Sequence, residues 1–230
     1  MGTLSFRSWY CSVAAIPDME THTPRRGMAP TRSVIFDLGG VYFTDGTGIA
    51  IESLASRYHL TVKQVAHCLT DPLGRDYRLG RLSGEEFWQQ AQAQWDIEAS
   101  ATELAAIWCS SYQPITGTVE LVDKLRLLGH ELLFLSDNTL ERVNYLNERH
   151  AFLAKFKDGV FSHRVGHLKP DPVLYELVLA KASHPTAECV YIDDKPALLE
   201  PARALGMSVV AFENPSQLGL ALRQLGLLTT

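Results

Sequence analysis

VIFDLGGVYF, residues 34–43, climbs through Val34, Ile35 and Phe36 to one carboxylate, Asp37, then breaks at Leu38, Gly39 and Gly40 before apolar character returns. A short apolar run bounded by a turn signal reads as a strand buried on both faces. A carboxylate at the end of such a strand is costly to desolvate. The two glycines remove side chains where the backbone has to turn sharply or approach something closely. The stretch therefore predicts a strand of a parallel α/β sheet, with Asp37 at the carboxyl edge where open sheets of this kind bind ligands.

Outward from this strand the pattern repeats. Apolar runs at SVIFD (33–37), ELLFLS (131–136), CVYID (189–193) and SVVAF (208–212), with a weaker one at GVFSH (159–163), are the expected strands. Helix-period segments at 118–128, 139–150, 171–183 and 196–205 separate them, and Gly129 and Gly206 stand where helix ends favour positive φ. From Asp45 to Pro114 no strand-like run occurs. Instead IAIESLASRYHL, TVKQVAHCLT, SGEEFWQQAQAQW and SATELAAIWCSSY carry apolar residues at helical spacing, which predicts a small helical bundle inserted after the first strand. Its aromatics, among them Phe87, Trp88, Trp95, Trp108 and Tyr112, read as core and interface packing.

The bulk composition sets bounds on function. With 230 residues, 46% hydrophobic and 20% charged, the chain suits one sizeable domain with an insertion. A net charge of −5 argues against nucleic acid as a partner. Cys11, Cys68, Cys109 and Cys189 form no CxxC or His/Cys ligand spacing and read as reduced thiols of a cytoplasmic protein. No apolar run is long enough for a membrane span. Residues 1–30, with Pro17, Pro24 and Pro30 and no periodicity, read as a flexible leader.

Further chemistry-bearing residues follow the strand ends in order. Asp37 closes the first strand and Ser136 the second, Lys169 precedes a helix in GHLKPDP, and Asp193 and Asp194 close CVYIDD. One strand-end aspartate is commonly a helix cap; the full set in this order suits phosphoryl transfer to an aspartate. A carboxylate that attacks phosphorus splits hydrolysis into two easier displacements. It also repels a phosphate dianion, so the site needs positive charge: Mg²⁺ held by hard oxygen ligands supplies most of it and a fixed lysine adds more.

On these residues the chain resembles the haloacid dehalogenase superfamily of hydrolases. FDLGGV (36–41) matches the first motif of that family, LSDN (135–138) the second, KPDP (169–172) the third, and IDD (192–194) with ARALGM (202–207) the fourth. The resemblance spans Arg32 to about Phe212 and is similar, in its DLG-type first motif, to bacterial glucose-1-phosphate phosphatases. It implies a Rossmann-like parallel-sheet core over 31–44 and 115–230 with an inserted helical cap over 45–114. It implies Asp37 as nucleophile, Lys169 as charge stabiliser, and phosphate contacts from Leu38, Gly39, Ser136, Asp137 and Lys169. Mg²⁺ would be held by Asp37, the Gly39 carbonyl and Asp194, with Asp193 close behind. The partner is then a small phosphorylated metabolite, and the protein a monomer or homodimer.

Two departures from the family pattern stand out. Gly39 occupies the position where most phosphatases of the family carry an acid/base aspartate, a loss worth about 10²–10⁴ in rate. Asp137 stands where Asn is commoner. Leaving groups acidic enough to depart unaided, such as anomeric sugar, acyl or aryl phosphates, would tolerate the glycine; Asp45 or Tyr77 would be substitute donors, although TDGTG makes Asp45 an ordinary turn residue. A metal-independent 2-haloacid dehalogenase and a catalytically impaired binding module are the competing readings. GRDYRLGRLSGEEFW (74–88), with Arg75, Arg78 and Arg81, is the expected source of contacts beyond the phosphate, against the plainer reading of a solvated face. His167 is the histidine expected to border the site.

Overall fold

A strand walled in on both faces must be apolar on both, and Val34, Ile35 and Phe36 are wholly buried. In the computed structural model, which describes residues 32–228, they lie in β1 (Ser33–Phe36) at the centre of a five-stranded sheet. The other strands are β2 (Glu131–Ser136), β3 (Asp158–Phe161), β4 (Cys189–Asp193) and β5 (Ser208–Ala211). Every pairing is parallel and the order is β3-β2-β1-β4-β5. The chain thus leaves β1 to one side and returns to its other side, which opens a crevice at the carboxyl ends of β1, β2 and β4. The expected leader over 1–30 lies outside the described residues.

Strand alternation divides the core in two. Val34 and Phe36, with Leu132, Phe134, Val190 and Ile192, face α6 (Thr116–Leu127), α7 (Leu140–His150) and α11 (Pro215–Gln224). Ile35, Leu133, Leu135 and Tyr191 face α9 (Pro172–Leu179) and α10 (Pro196–Ala204). The short α8 (Ser162–Val165) follows β3 directly. Gly129 and Gly206 have φ of 83° and 94°, as expected at helix ends.

Between β1 and β2 the chain forms α1 (Gly46–Tyr58), α2 (Val62–Thr70), α3 (Pro72–Arg78), α4 (Gly84–Trp95) and α5 (Ala101–Ser110). Tyr77, Phe87, Trp88 and Trp108 stack or meet edge to face, with ring centroids 4.5–6.1 Å apart, and make the heart of this block. The block leaves and rejoins the sheet through two neighbouring connectors, where Thr44 N donates to Gln113 O (2.9 Å) and Ile115 N to Tyr42 O (2.9 Å). Both connectors therefore emerge beside Asp37.

Four elements differ from expectation, the first being β3, which ends at Phe161 rather than His163 where Ser162 opens α8. Helix α3 is not among the expected segments, since Pro72 and Gly74 read as breakers. Pro72 instead takes the first helical position, where a missing N–H costs nothing, and a side chain on Gly74 would collide with Leu69 O at 2.0 Å. Helix α11 was likewise not anticipated, although Asn214 caps it and Pro215 opens it. Helix α9 stops at Leu179 rather than 183, because Ser183 N donates to Glu131 Oε2 (2.8 Å).

Glu131 also accepts from Ser33 Oγ and Lys157 Nζ, which ties β1, β2 and the end of α9 together at the amino edge of the sheet. Burial alone would raise its carboxyl, but the hydrogen bonds from Lys157, Ser33 and Ser183 bring it from the ordinary 4.5 down to about 2. A depressed carboxyl stabilises the fold above its unfolded pKa and loses that contribution as pH falls through its folded one. Glu131→Gln should cost ~2 kcal/mol at pH 7, allowing for the half-exposed Lys157. The difference should fade between pH 4.5 and 2 in urea melts. Among the described residues no helix is long and apolar enough to cross a membrane, and Cys68, Cys109 and Cys189 are free and buried.

Candidate active site

β1 delivers Asp37 to the sheet edge with its N–H bonded to Ile192 O (2.8 Å) of β4. Its Oδ1 accepts from Leu38 N (2.7 Å) and from Lys169 Nζ (3.0 Å). The Leu38 N–H is thus spent on Asp37 itself and the Leu38 side chain is core. Lys169 Nζ also donates to Asp193 Oδ2 (2.7 Å) and Tyr191 OH (3.2 Å), while Tyr191 OH donates to the same Asp193 oxygen (2.5 Å). Asp193 Oδ1 accepts from Lys195 N (2.9 Å), so both of its oxygens are held. Asp137 Oδ1 accepts from Lys169 N (3.1 Å) and pins that loop to the end of β2, where Ser136 lies buried.

The balance of charge decides what this cluster can hold. Asp37, Asp137, Asp193 and Asp194 crowd a site in which Lys169 is the only ammonium making direct ion pairs with them among the described residues. Burial, opposed by Lys169 and assisted by Asp193, pushes the Asp37 carboxyl up to about 7. Asp137 and Asp194 are raised for the same leading reason. Burial disfavours the charged form of Lys169 too, but Asp37, Tyr191 and Asp193 outweigh it and keep the ammonium charged.

A divalent cation fits this deficit. Asp37, Asp193 and Asp194 each bring a carboxylate oxygen within 4.8 Å of the others. Asp194 Oδ1 is buried with no hydrogen-bond partner, which is costly unless something positive meets it. The backbone makes room for that carboxylate: Gly40 has φ of +89°, and a Cβ there would lie 2.5 Å from Asp194 Oδ2. Gly39, in contrast, has ordinary φ, and a Cβ on it would meet Tyr112 Cε1 at 3.5 Å, a normal contact.

Asp37, Gly39, Ser136, Asp137 and Lys169 line one cavity of about 400 Å³, whose far wall comes from the helical block. That wall includes Asp45, Thr47, Arg78 and Tyr112, with Arg142 from α7. Asp45 reaches the cavity while capping α1 through Gly48 N (3.3 Å). Tyr77 gives its hydroxyl to Glu141 (2.5 Å) and is not a lining residue, so it is no substitute donor. Arg75 and His167 do not line the cavity either; His167 pairs with Asp171 (2.7 Å) and Arg81 with Asp76 (2.8 Å).

Arg142 and Tyr112, together with Thr47 and Lys195, are cavity residues that the sequence reading does not assign to the site. Arg142 Nε donates to Asn138 Oδ1 (2.6 Å) and Nη1 to Tyr112 OH (2.9 Å), and its guanidinium lies 4.6 Å from the Tyr112 ring centroid. Tyr112 OH also meets Thr47 Oγ1 (2.6 Å). One signal was available: Arg142 sits in the first turn of α7, where the helix dipole disfavours a cation.

The raised Asp37 carboxyl has a cost with a definite sign. Between the ordinary 3.8 and about 7 the unfolded chain releases this proton before the folded protein does, so stability falls as pH rises through that window. In EDTA at pH 8, Asp37→Asn should therefore stabilise the protein by ~2 kcal/mol, or about 5 °C in Tm. The gain should disappear near pH 4, and a lower Tm for the variant at pH 8 would contradict this electrostatic account.

Residues 34–212 match the family model for haloacid dehalogenase-like hydrolases. The chain is 24% identical over 198 residues to the sesquiterpene phosphatase astK of Aspergillus oryzae, covering 84% of this chain and 96% of that protein. It is 24% identical to flavin mononucleotide hydrolase 1 of Arabidopsis thaliana over 74% of this chain and 69% of that one. Among solved structures, the HAD family enzyme bt-2542 of Bacteroides thetaiotaomicron, in complex with magnesium and inorganic phosphate, superposes with a TM-score of 0.67. That match has 19% identity over 80% of this chain and 96% of the other. A HAD-like family hydrolase of Porphyromonas gingivalis gives a TM-score of 0.68 at 22% identity, over 86% and 98% of the two chains.

Proposed function

The chain belongs to the haloacid dehalogenase-like hydrolases, and from that premise we propose that it is a magnesium-dependent phosphatase. Its substrate is a small phosphomonoester, and the reaction passes through an aspartyl-phosphate on Asp37. The observation that carries the reading is the buried, unpartnered Asp194 Oδ1 beside Asp37 and Asp193, in a cluster with more carboxylates than cations. The names of two relatives, a phosphatase and a nucleotide hydrolase, support it, as does the magnesium and phosphate complex of a structural neighbour. A metal-independent dehalogenase would leave Asp194 Oδ1 buried with nothing to satisfy it.

In this mechanism Leu38 N–H and Lys169 grip Asp37 Oδ1 and fix the carboxylate plane, which leaves Oδ2 to attack phosphorus in line. The P–O bond to the leaving group breaks as the new P–O bond to Asp37 forms. Ser136 Oγ, the Lys169 ammonium and backbone N–H groups at Gly39 and Asp137 bind the phosphoryl oxygens. Asp193 acts mainly through Lys169, since Lys169, Tyr191 and Lys195 N occupy its oxygens. Asp37, Asp194 and the Gly39 carbonyl, with Asp193 behind, would hold magnesium, which would supply further positive charge toward the phosphoryl oxygens. Water then attacks the aspartyl-phosphate, releasing inorganic phosphate and restoring the Asp37 carboxylate.

Gly39 offers no proton to the departing oxygen, so favoured leaving groups are weakly basic ones: anomeric sugar, aryl or acyl phosphates. Helices α1–α5 serve as a cap that excludes water from the crevice. Their closed position is held by Tyr77 and Trp88 donating to Glu141 on α7 (2.5 and 3.3 Å).

Aryl-phosphate turnover should require Mg²⁺, stop with EDTA and fall at least 10³-fold in Asp37→Asn. Unchanged turnover in that variant would refute the nucleophile. Gly39→Asp is sterically accommodated at Cβ and should raise kcat on alkyl phosphates by about 10-fold or more. No gain there would point to Asp45 as the donor already in place.

A further inference from the structure

We propose that the substrate carries a second anionic group on its leaving portion, a carboxylate or another phosphate, and that Arg78 and Arg142 bind it. This rests on the phosphatase reading and goes further, to the part of the substrate beyond the transferring phosphoryl.

The arginines of this protein differ in what meets their charge. Arg57, Arg81 and Arg203 are exposed, and each takes a carboxylate partner, from Glu103, Asp76 and Glu200. Arg142 is only 3% exposed, yet its donors go to neutral acceptors: Asn138 Oδ1, Tyr112 OH and the Asp137 carbonyl at 3.3 Å. Arg78 is half-buried, and its guanidinium is fixed by the carbonyls of Leu69 (2.8 Å) and Thr70 (3.1 Å) at the end of α2. Among the described residues neither makes an ion pair with a carboxylate within 4.0 Å. Buried charges are ordinarily paired, and Arg142 instead lies over the Trp108 and Tyr112 rings (4.9 and 4.6 Å) with no carboxylate partner.

Both guanidiniums line the cavity that holds Asp37. Burial disfavours the charged form of Arg78, Arg142 adds to that, and Asp137 opposes it. Two like charges held in a small volume by neutral groups are preorganised for an anion, and the planar fork suits a carboxylate or phosphate. The transferring phosphoryl is already served by Lys169 and the cation site on the β4 side. The arginines stand on the wall to which α3 and α7 contribute, and this wall is assigned to the leaving portion of the substrate. Arg78 is held there by the core as well, since its own carbonyl accepts from Ser162 Oγ (2.7 Å), which in turn accepts from Asn138 N (2.9 Å).

The test compares phosphomonoesters matched in leaving-group pKa, one neutral and one carrying a carboxylate: p-nitrophenyl phosphate against an aryl phosphate with a carboxylate and further acidifying substituents. Wild type should favour the carboxylated ester by about 10- to 100-fold in kcat/KM, mainly through KM. Arg78→Met should reduce that ratio at least 10-fold, while Arg78→Lys retains most of it. Should Arg78→Met fail to fold, Arg142→Gln and competitive inhibition of wild type by small dicarboxylates read the same site. Turnover of both esters without preference, or a preference untouched by loss of Arg78, would overturn the inference and leave the phosphatase reading standing. Absence of turnover with every phosphomonoester would instead overturn the phosphatase reading.

Discussion

One ammonium group organises this protein's active edge. Lys169 Nζ reaches Asp37 at 3.0 Å and Asp193 at 2.7 Å, so the ends of two neighbouring strands are bridged by a charge that neither could do without. Removing two carboxylates from water is affordable only with such a partner. Even so, the cluster stays electronegative, as the raised carboxyls of Asp37, Asp137 and Asp194 record. The fold stores this imbalance at the place where a cation and a phosphate dianion would be bound.

The scaffold around that imbalance is rigid for simple reasons. β1 is central and apolar on both faces, so the position of Asp37 is set by two hydrophobic layers rather than by a loop. Gly40 turns at positive φ directly beneath Asp194, and no side chain would fit between them. Asp137 holds the Lys169 backbone, and Tyr191 and Lys195 hold Asp193. Lys169 and Asp193 are thereby held in place by hydrogen bonds from the protein itself, the arrangement that preorganised electrostatics requires.

The wall opposite is built differently. There α3, α7 and the connector after α5 bring Arg78, Arg142 and Tyr112 together, and among the described residues neither guanidinium makes an ion pair with a carboxylate. Tyr112 lies beside Gly39, at ordinary contact distance (3.5 Å) from where a Cβ there would stand.

The sequence alone determined the parallel α/β class, the places of all five strands, the helical insertion, the strand-end residues Asp37, Ser136, Asp193 and Asp194, and Lys169 ahead of a helix. These are legible because buried strands and their termini are local patterns: an apolar run, then a polar residue, then a turn. The short helix α3 escaped because Pro72 and Gly74 mimic a breaker, and only the close approach to Leu69 O explains the glycine. Tertiary structure decided which oxygen of the aspartate cluster lacks a partner, that Leu38 N–H turns back on Asp37, and that His167 and Tyr77 are engaged elsewhere. It also decided that Arg78, Tyr112 and Arg142, 64 residues apart from first to last, share one cavity. No local signal encodes such a meeting, because it depends on how a helical block packs over a sheet edge and on which charges that packing leaves unpaired.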